Sequence, residues 1–373
     1  MRAFYWLLLL CVAVGLLGCG MENGLGRDVA TEAELGLLRR TQTQQLPRRC
    51  QVSSEAQTSY VHVEAGFCLR YPSNYQVVLG GERQLVLQAP MVRDEAGEFM
   101  GEGVTVAITR LETETSLAAW ASRYGAVGEL DSERAMVMVG DYRAQGWYHV
   151  AGEVVAGYEE GEREVDYLVV SGEGGLYQIA IAYDGESLVD LKGDAQAVGR
   201  TISNSFTPLS WGFLRYYQDC QPSKVDYWSY VNVYDGYCVL IPRGMAVNVN
   251  QTLRMVSVTQ VDGERLGSSM TFHVGGETDG DVAEVVSTYL ADVTPSWLPV
   301  IERMDGSLDG EPMILLQNVP GPARAEQLFV VRQGRVYALA MMPHQVDNVT
   351  EALEVWEIIL DSWRFVNVLE VTK

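Results

Sequence analysis

Hydrophobic and polar residues alternate along many short segments of this chain, which is the pattern of half-buried β-strands. One such segment covers residues 104–110 (Val-Thr-Val-Ala-Ile-Thr-Arg), and a similar one covers residues 269–274. Each is followed by a predicted helix that begins at a residue suited to the N-cap, Ser116 in one case and Asp281 in the other. The pattern therefore predicts one order of strands and helices that occurs twice.

A block that starts with a cysteine and occurs twice gives the clearest evidence of this repeat. Its copies cover residues 50–72 and 220–242, and in both the second cysteine lies 18 residues after the first. Six residues match at an offset of 170: Tyr60/Tyr230, Val61/Val231, Val63/Val233, Gly66/Gly236, Cys68/Cys238 and Pro72/Pro242. Later matches have offsets of 165 (Tyr124/Tyr289), 160 (Tyr177/Tyr337) and 157 (Ser205/Ser362). The falling offset means that the second of two duplicated domains has lost a few residues at each step. A residue lost inside a strand would turn the buried face of that strand outwards, so we expect the losses to lie between the elements.

The same comparison predicts the remaining elements in pairs. The strands are 144–151 and 312–319, 167–170 and 328–331, and 176–182 and 336–342, and the last helices are 188–202 and 346–360. Gly80-Gly81 predicts a hairpin between residues 76–79 and 84–88. Asp235-Gly236 predicts a two-residue turn between residues 230–234 and 237–241.

Three motifs in these units are similar to those of the PsbP-like family. They are Phe67-Cys-Leu-Arg-Tyr-Pro72, the helix at 116–124 and Asp361-Ser-Trp-Arg-Phe365. The resemblance covers about residues 60–207 and 230–367. It implies an α+β fold with two similar domains, each a central antiparallel sheet flanked by helices as an α/β/α sandwich. It implies no enzymatic activity and transfers no functional residues.

The N-terminus resembles the signal of bacterial lipoproteins. Arg2 precedes an apolar run at residues 4–17, which is short for a membrane span. The end of this run overlaps the motif Leu16-Leu17-Gly18-Cys19. The resemblance implies cleavage before Cys19 and acylation of that residue. The acyl chains would then anchor the protein on the extracytoplasmic side of a bacterial membrane, in the cell envelope. The alternative is an ordinary secretory signal in which Cys19 has no such role.

These features divide the chain into five segments. We expect a signal peptide at 1–18, a lipidated Cys19 with a flexible tether at 19–49, one PsbP-like domain at 50–207, a linker at 208–219 and a second PsbP-like domain at 220–373. Because the linker is short and apolar, we expect the two domains to pack together.

Four cysteines remain once Cys11 and Cys19 are set aside from the total of six. Export places them in an oxidising compartment, where four cysteines allow three pairings. A unit that arose by copying carries its bond with it, so the duplication favours Cys50–Cys68 and Cys220–Cys238. Zinc binding is the alternative, but the chain has neither the CxxC spacing nor the nearby histidine pairs that zinc sites use.

The formal net charge of −22 comes from 49 acidic and 27 basic residues. It argues against nucleic acid or an anionic lipid surface as a partner. It is compatible with plain solubility, with a cationic partner or with weak binding of divalent cations.

Candidate chemistry is sparse. The chain has no GxSxG, HExxH, Walker A or complete EF-hand motif, and we expect no cofactor. Asp279 and Asp281 are weak candidates for a calcium site, although a loop and a helix N-cap explain the same residues. The segment 211–237 is rich in aromatic residues that suit stacking on sugars or anchoring a protein, although packing between the domains also explains it. The candidate contacts in it are Trp211, Tyr216, Tyr217 and Trp228.

We therefore expect a membrane-anchored lipoprotein that binds or assembles with another envelope protein and is not an enzyme. The alternative is a glycan- or calcium-binding lipoprotein that uses the 211–237 segment or the carboxylates at 279–281. An enzyme of unrecognised type is a third possibility.

Overall fold

Antiparallel strands form most of this structure, which is a computed structural model. It describes residues 47–51, 54–90, 92–93, 99–101, 103–111, 116–124, 135–151, 163–172, 175–184, 191–209, 217–260, 268–293, 300–319, 325–343 and 349–368. These residues belong to one compact unit, Gln44–Lys373. The predicted signal peptide, Cys19 and most of the predicted tether lie outside the described residues.

The elements of the first half follow a short 3-10 helix at Arg48–Cys50. They are β1 (Gln57–His62), β2 (Phe67–Pro72), β3 (Gln76–Gly80), β4 (Gln84–Gln88), β5 (Val92–Arg93), β6 (Phe99–Gly101), β7 (Thr105–Arg110), α1 (Leu117–Tyr124), β8 (Ala135–Val139), β9 (Tyr142–Ala151), β10 (Arg163–Gly172), β11 (Gly175–Asp184), α2 (Leu191–Ser205) and β12 (Thr207–Pro208).

The second half has elements in the same order, except that β5 and β6 have no counterpart among its described residues. They are β13 (Tyr227–Asn232), β14 (Tyr237–Pro242), β15 (Met245–Asn250), β16 (Met255–Gln260), β17 (Ser268–Glu277), α3 (Val282–Ala291), β18 (Glu302–Leu308), β19 (Glu311–Val319), β20 (Ala325–Arg332), β21 (Arg335–Pro343), α4 (Val349–Ser362) and β22 (Arg364–Phe365).

Within the described residues, fourteen of these strands form one antiparallel sheet. Its order is β18-β19-β20-β21-β17-β16-β15-β3-β4-β7-β11-β10-β9-β8, so the strands of the second half are followed by those of the first. Read outwards from the centre, the two halves match strand for strand: β15 with β3, β16 with β4, β17 with β7 and so on to β18 with β8. Two small sheets, β1-β2-β12 and β13-β14-β22, match in the same way.

Strands β3 and β15 join the halves about a local two-fold axis. Val77 pairs with Val247 in antiparallel register, and these two residues are themselves equivalent at the offset of 170. Tyr60 and its equivalent Tyr230 also meet, with ring centroids 6.2 Å apart. Equivalent residues that face one another define an isologous contact, as in the interface of a symmetric dimer.

The predicted α/β/α sandwich is wrong, because strands predominate and both halves share one sheet. In the described part of the chain each half has two α-helices, and α1 has only 8 residues. Helices of this number and length cannot form complete layers over a sheet of fourteen strands. Alternation in the sequence reports which face of a strand is buried, but it does not report which sheet edges meet.

The main apolar core is continuous between the halves. Helix α2 contributes Leu191, Ala195, Val198 and Ile202 to it, and α4 contributes Ala352, Trp356 and Ile359. The shorter helices α1 and α3 place Trp120 and Val286 in two smaller clusters. The long helices therefore bury their apolar stripes in a core that strands of both halves share.

The outermost strands, β18 and β8, were not predicted from the sequence. Residues Glu302–Ser307 of β18 are exposed and only Leu308 is buried, so this strand shows no alternation of apolar and polar positions. Met138 of β8 is 57% exposed. Alternation arises where one face of a strand packs on a core and the other faces solvent, and residues Glu302–Ser307 are exposed on both faces.

The hairpin at Asp235-Gly236 has a longer turn than the predicted two residues. Asn232 pairs with Tyr237, which leaves four residues in the turn. The side-chain oxygen of Asn232 accepts hydrogen bonds from the backbone N–H groups of Tyr234 and Asp235, at 3.2 and 3.0 Å. These bonds end the strand at Asn232, and Gly236 closes the turn with a φ of +78°.

No helix among the described residues is long and apolar enough to span a membrane.

Candidate functional site

The two halves meet at a seam, which we define as the hairpins β1–β2 and β13–β14 together with strands β3 and β15. Both disulfide bonds lie in it. Cys50 is bonded to Cys68 and Cys220 to Cys238, as the duplication predicts. The four cysteines share one apolar cluster with residues of both halves, Val61, Leu209, Tyr217, Val231, Val233 and Val366 among them. Each bond closes a loop within its own half, yet both bonds support the same contact between the halves.

Of the four aromatic residues predicted as ligand or partner contacts, two lie outside the described residues, Trp211 and Tyr216. The other two are buried, Tyr217 at 4% exposure and Trp228 at 0%. The Trp228 ring lies against Gly80 of the first half, with which it makes a close contact. Neither Tyr217 nor Trp228 therefore presents its ring to solvent in this structure.

Side-chain hydrogen bonds also cross the seam. The Gln251 amide accepts from the Ser59 N–H at 3.1 Å and donates to the Ser59 carbonyl at 2.9 Å, so it occupies the place of a neighbouring strand along β1. Glu64 accepts from the backbone N–H of Ser223 at 2.7 Å and from its hydroxyl. The Tyr234 hydroxyl contacts the Ser59 hydroxyl. The Gln251 bonds satisfy the backbone groups of Ser59, and all of these bonds fix one half against the other.

The turn after β1 is fastened by a buried, neutral histidine. His62 Nδ1 accepts a hydrogen bond from the Ala65 N–H at 3.1 Å, so its Nε2 carries the proton and donates to the Gln84 carbonyl at 3.1 Å. Burial lowers the pKa of His62 to about 4, and its backbone hydrogen bonds offset this only in part. At neutral pH the ring is therefore an uncharged structural group.

The equivalent turn in the second half is fastened by an ion pair. Asp235 is buried, and its Oδ1 lies 2.8 Å from Nε and 2.7 Å from the second guanidinium nitrogen of Arg254. Its other oxygen accepts from the Asn232 amide at 3.0 Å. Asn232 and Asp235 are the equivalents of His62 and Ala65 at the offset of 170. The equivalent turns of the two halves are thus held in place by different side chains.

Tyrosines at the centre of the seam are likewise uncharged. Burial raises the pKa of Tyr60, Tyr230 and Tyr237 well above the ordinary value. An acid–base role needs a group that gains or loses a proton near the working pH. These tyrosines therefore serve as packed structural groups, and the Tyr237 hydroxyl also accepts a hydrogen bond from the Asn232 amide at 3.2 Å.

One side of the seam is open and forms a cleft with a cavity volume of about 640 Å³. We call it the seam cleft. Residues of the first half line one wall, namely Ser54, Glu55, Gln57, Thr58 and Ser73. The other wall consists of the last two residues of β15, Val249 and Asn250, and of the following turn, with Gln251, Thr252 and Leu253. Its volume falls within the usual range of small-molecule sites, which often lie between domains.

Sequence reasoning did not identify the seam cleft, although a signal for it was present. The cleft residues Thr58 and Asn250 correspond at the offset of 170 to Trp228 and Gly80, which touch one another on the opposite side of the seam. A difference between equivalent positions of a duplicated pair is visible in the sequence. Its meaning depends on the two positions being in contact, which only the fold reveals.

Of the two candidate calcium ligands, one caps a helix and the other is exposed in a loop. Asp281 is the N-cap of α3, where its Oδ1 accepts from the Glu284 N–H at 2.9 Å. Asp279 is exposed in the preceding loop. Among the described residues there is no group of three or more histidine, cysteine or acidic side chains placed to hold a metal ion.

No protein-family model matches this chain, and no curated protein matches it either. Solved structures do show similarity. A solution structure of cyanobacterial PsbP (CyanoP) from Synechocystis sp. PCC 6803 is 12% identical, covers 39% of this chain and 96% of its own, and gives a TM-score of 0.29. The immunity protein TplEi of the type VI secretion system of Pseudomonas aeruginosa, complexed with "L" peptide, is 13% identical over 84% of this chain and 99% of its own, with a TM-score of 0.24. Its apo structure covers 81% of this chain and 96% of its own, with a TM-score of 0.22. TM-scores this low do not establish a common fold.

Proposed function

We propose that this protein is a lipid-anchored, extracytoplasmic lipoprotein without enzymatic activity that binds an envelope protein through the edge strand β18. The exposure of β18 is the observation that carries the binding role. The sequence Leu16-Leu17-Gly18-Cys19 is the observation that supports the anchor.

The disulfide bonds support an extracytoplasmic location. Cys50, Cys68 and Cys238 are almost fully buried in the cluster that joins the halves. Reduction would leave each pair of thiols without the constraint that a disulfide places on the unfolded chain. A fold that relies on two such bonds suits an oxidising compartment.

Strand β18 lies at one end of the fourteen-stranded sheet. Its inner side pairs with β19 from Glu302 to Leu308, and no other described strand pairs with its outer side, which presents backbone groups at alternate residues. The side chains are also accessible, and Met304 is 51% exposed. An edge of this kind binds an extended segment by adding it to the sheet as a further strand.

The charges of β18 indicate the occupant, which is an extended strand of a partner protein. Arg303 and Asp305 lie on one face of the strand, 2.9 Å apart. An antiparallel partner with an acidic residue opposite Arg303 and a basic residue opposite Asp305 would replace this exposed pair by two cross-strand pairs. Val300 and Met304, each about half exposed, add apolar contacts.

The anchor is tested by Cys19→Ala. The variant should move from the membrane fraction to the soluble fraction, because the substitution removes the site of acylation. Partition of wild type and variant into the detergent phase measures the change. Continued partition of the variant would contradict the anchor.

The docking edge is tested by placing a photo-crosslinking amino acid at Met304 in cells. A matched variant carries it at Val225, which is 82% exposed but lies far along the chain from β18. One defined protein adduct should form from position 304 and not from position 225. Reversing the charges with Arg303→Asp and Asp305→Arg should abolish that adduct, because the cross-strand pairs would become repulsive.

Three outcomes would contradict the proposed edge: no adduct at position 304, an equal adduct at position 225, or an adduct that persists after the charge reversal. An adduct with twice the mass of this chain would mean that β18 pairs with a second copy, and the proposed partner would then be wrong.

A further inference from the structure

The two sides of the seam differ although their backbones are related by the local two-fold axis. On one side, which we call the closed side, the Trp228 ring fills the space above Gly80. On the other side the equivalent residues are Thr58 and Asn250, and the seam cleft of about 640 Å³ lies beside them. On the closed side a tryptophan ring occupies the space that a glycine leaves. On the other side the smaller, polar residues leave that space open.

Side chains that both donate and accept hydrogen bonds dominate the lining of the cleft. Its hydroxyl and amide groups belong to Ser54, Gln57, Thr58, Ser73, Asn250, Gln251 and Thr252. Such groups suit a ligand whose own groups also donate and accept, as hydroxyls do. Leu253 is 56% exposed at the rim and provides an apolar surface for the C–H groups of such a ligand.

Hydrogen bonds hold parts of this lining in place before any ligand arrives. The Thr58 hydroxyl lies 3.3 Å from the Ser73 hydroxyl and 3.4 Å from the Val249 carbonyl. The Ser73 hydroxyl donates to the Glu55 carbonyl at 2.9 Å. The Asn250 side chain accepts from the Leu253 N–H at 3.0 Å and shapes the opposite wall. A wall fixed in this way loses little conformational entropy on binding.

The charge of the lining argues against an anionic ligand. Among the described residues that line the cleft, Glu55 is the one ionisable side chain, and no arginine, lysine or histidine accompanies it. A phosphate or a carboxylate would therefore meet an acidic group without a cation to pair with. A neutral ligand avoids this repulsion, and the Glu55 carboxylate can accept hydrogen bonds from its hydroxyls.

The strand edge beside the cleft argues against an extended peptide. A peptide that added to β1 would need the outward backbone groups of that strand. At Ser59 these groups are already bonded to the Gln251 amide, at 3.1 and 2.9 Å. The remaining recognition groups are side-chain hydroxyls and amides rather than a ladder of backbone groups.

We propose that the seam cleft is a binding site for a neutral saccharide, held by Gln57 and Thr252 with Leu253 against its apolar face. This site is separate from the edge strand β18 and from the aromatic segment 211–237.

The probe is N,N′-diacetylchitobiose, which is neutral and carries both hydroxyls and acetamides, together with a printed array of neutral oligosaccharides. The full chain is purified in a detergent without a sugar headgroup, and titration calorimetry and ligand-observed NMR measure binding. We expect saturable binding of the disaccharide or of an oligosaccharide from the array.

Two polar residues of the cleft are then replaced together by apolar residues of similar size, Gln57→Leu and Thr252→Val. The affinity should fall about tenfold or more, since each lost hydrogen bond contributes about 0.5–1.5 kcal/mol. The matched control is Glu82→Gln, at the position of the closed side that corresponds to Thr252. Its affinity should equal that of the wild type.

A second variant closes the cleft by copying the opposite side, with Thr58→Trp and Asn250→Gly. Saccharide binding should disappear, while circular dichroism and the unfolding midpoint report whether the fold persists. If this variant does not fold, the Gln57→Leu, Thr252→Val variant still decides the question. The proposal is overturned if no saccharide binds, if binding survives the Gln57→Leu, Thr252→Val variant, or if the cleft binds an unmodified peptide in place of a saccharide.

Discussion

At the scale of single residues, the duplicated halves show how different side chains satisfy the same backbone. His62 and Asn232 occupy equivalent positions, and each accepts a hydrogen bond from the N–H group three residues later, in Ala65 and Asp235. The imidazole reaches further and also bonds the Gln84 carbonyl. In the second half the Asp235–Arg254 ion pair makes the corresponding connection.

The buried His62 should make the protein less stable in acid. Its pKa is about 4 in the folded state, whereas a histidine exposed to solvent has a pKa of 6.5, so the unfolded chain binds this proton more readily. The stability associated with neutral His62 is fully present above pH 6.5 and is lost as the pH falls towards 4. The total loss in the free energy of unfolding is about 3 kcal/mol. Urea unfolding at both ends of this window measures it in wild type and in His62→Asn.

The asparagine variant copies the second half and cannot titrate, so its stability should fall less with acid than that of the wild type. His273→Asn, at an exposed residue of β17, is the control and should keep the dependence of the wild type. Equal losses in the wild type and His62→Asn would contradict the assigned role of His62.

The ion pair at the second turn should behave as a unit. Arg254→Ala leaves the buried Asp235 carboxylate without its cation, and we expect a loss of about 2–3 kcal/mol in the free energy of unfolding. The double variant Asp235→Ala with Arg254→Gln copies Ala65 and Gln84 of the first half and removes the stranded charge. It should cost less than Arg254→Ala alone. Chemical denaturation measures both, and a loss in the double variant as large as or larger than that of Arg254→Ala would contradict this coupling.

At the scale of elements, the ends of the helices follow local chemistry. Asp281 caps α3 through a bond from the Glu284 N–H, and the Ser116 hydroxyl accepts from the Ala119 N–H at the start of α1. Both residues were identified as N-caps from the sequence because capping depends on the neighbouring residues alone. The edge strands β8 and β18 have no comparable local signal.

Replacing the N-cap of α3 should destabilise the protein whether or not calcium is present. Asp281→Ala should lower the free energy of unfolding by about 1 kcal/mol. Asp281→Asn should keep most of the stability that the cap supplies, because the amide oxygen still accepts the hydrogen bond. Ser116→Ala is the matched control at α1 and should show a similar loss. Thermal unfolding with and without calcium measures these effects. A calcium-dependent rise in the wild-type midpoint that Asp281→Asn abolishes would instead support the metal site.

At the scale of the whole molecule, the seam makes the two halves one cooperative structure. The main apolar core contains residues of both halves, including Tyr60, Val77, Trp228 and Val247. The β3–β15 pairing continues the sheet across the boundary. Neither half can unfold without exposing part of the core of the other.

Gly80→Ala tests this coupling at the closed side. A Cβ at this position would lie 2.8 Å from Cζ3 of Trp228, and overpacking of this kind costs about 1–3 kcal/mol. Because the halves share a core, the variant should lower the midpoint of one single transition, seen alike by far-UV circular dichroism and by tryptophan fluorescence. Alanine at the equivalent position of the open cleft, Asn250→Ala, should lower the free energy of unfolding by less. Two separate transitions would contradict the shared core.

The sequence by itself determined the repeat, the disulfide pairing, the position of the predicted strands and the helix caps. The pairing Cys50–Cys68 follows from the copied spacing of 18 residues, and the strand at β7 follows from alternation. Each of these depends on residues close together in the chain or on comparison of the two copies. Local periodicity reports them because side chains alternate along a strand and recur along a helix.

Only the tertiary structure decided how the halves combine. The sheet is continuous because Val77 meets Val247, yet neither residue differs in pattern from any other valine of an alternating strand. The seam cleft exists because Thr58 and Asn250 come together on one side while Trp228 fills the other above Gly80. The residues of each contact lie more than a hundred positions apart, and their contact energy depends on three-dimensional packing that no local pattern records.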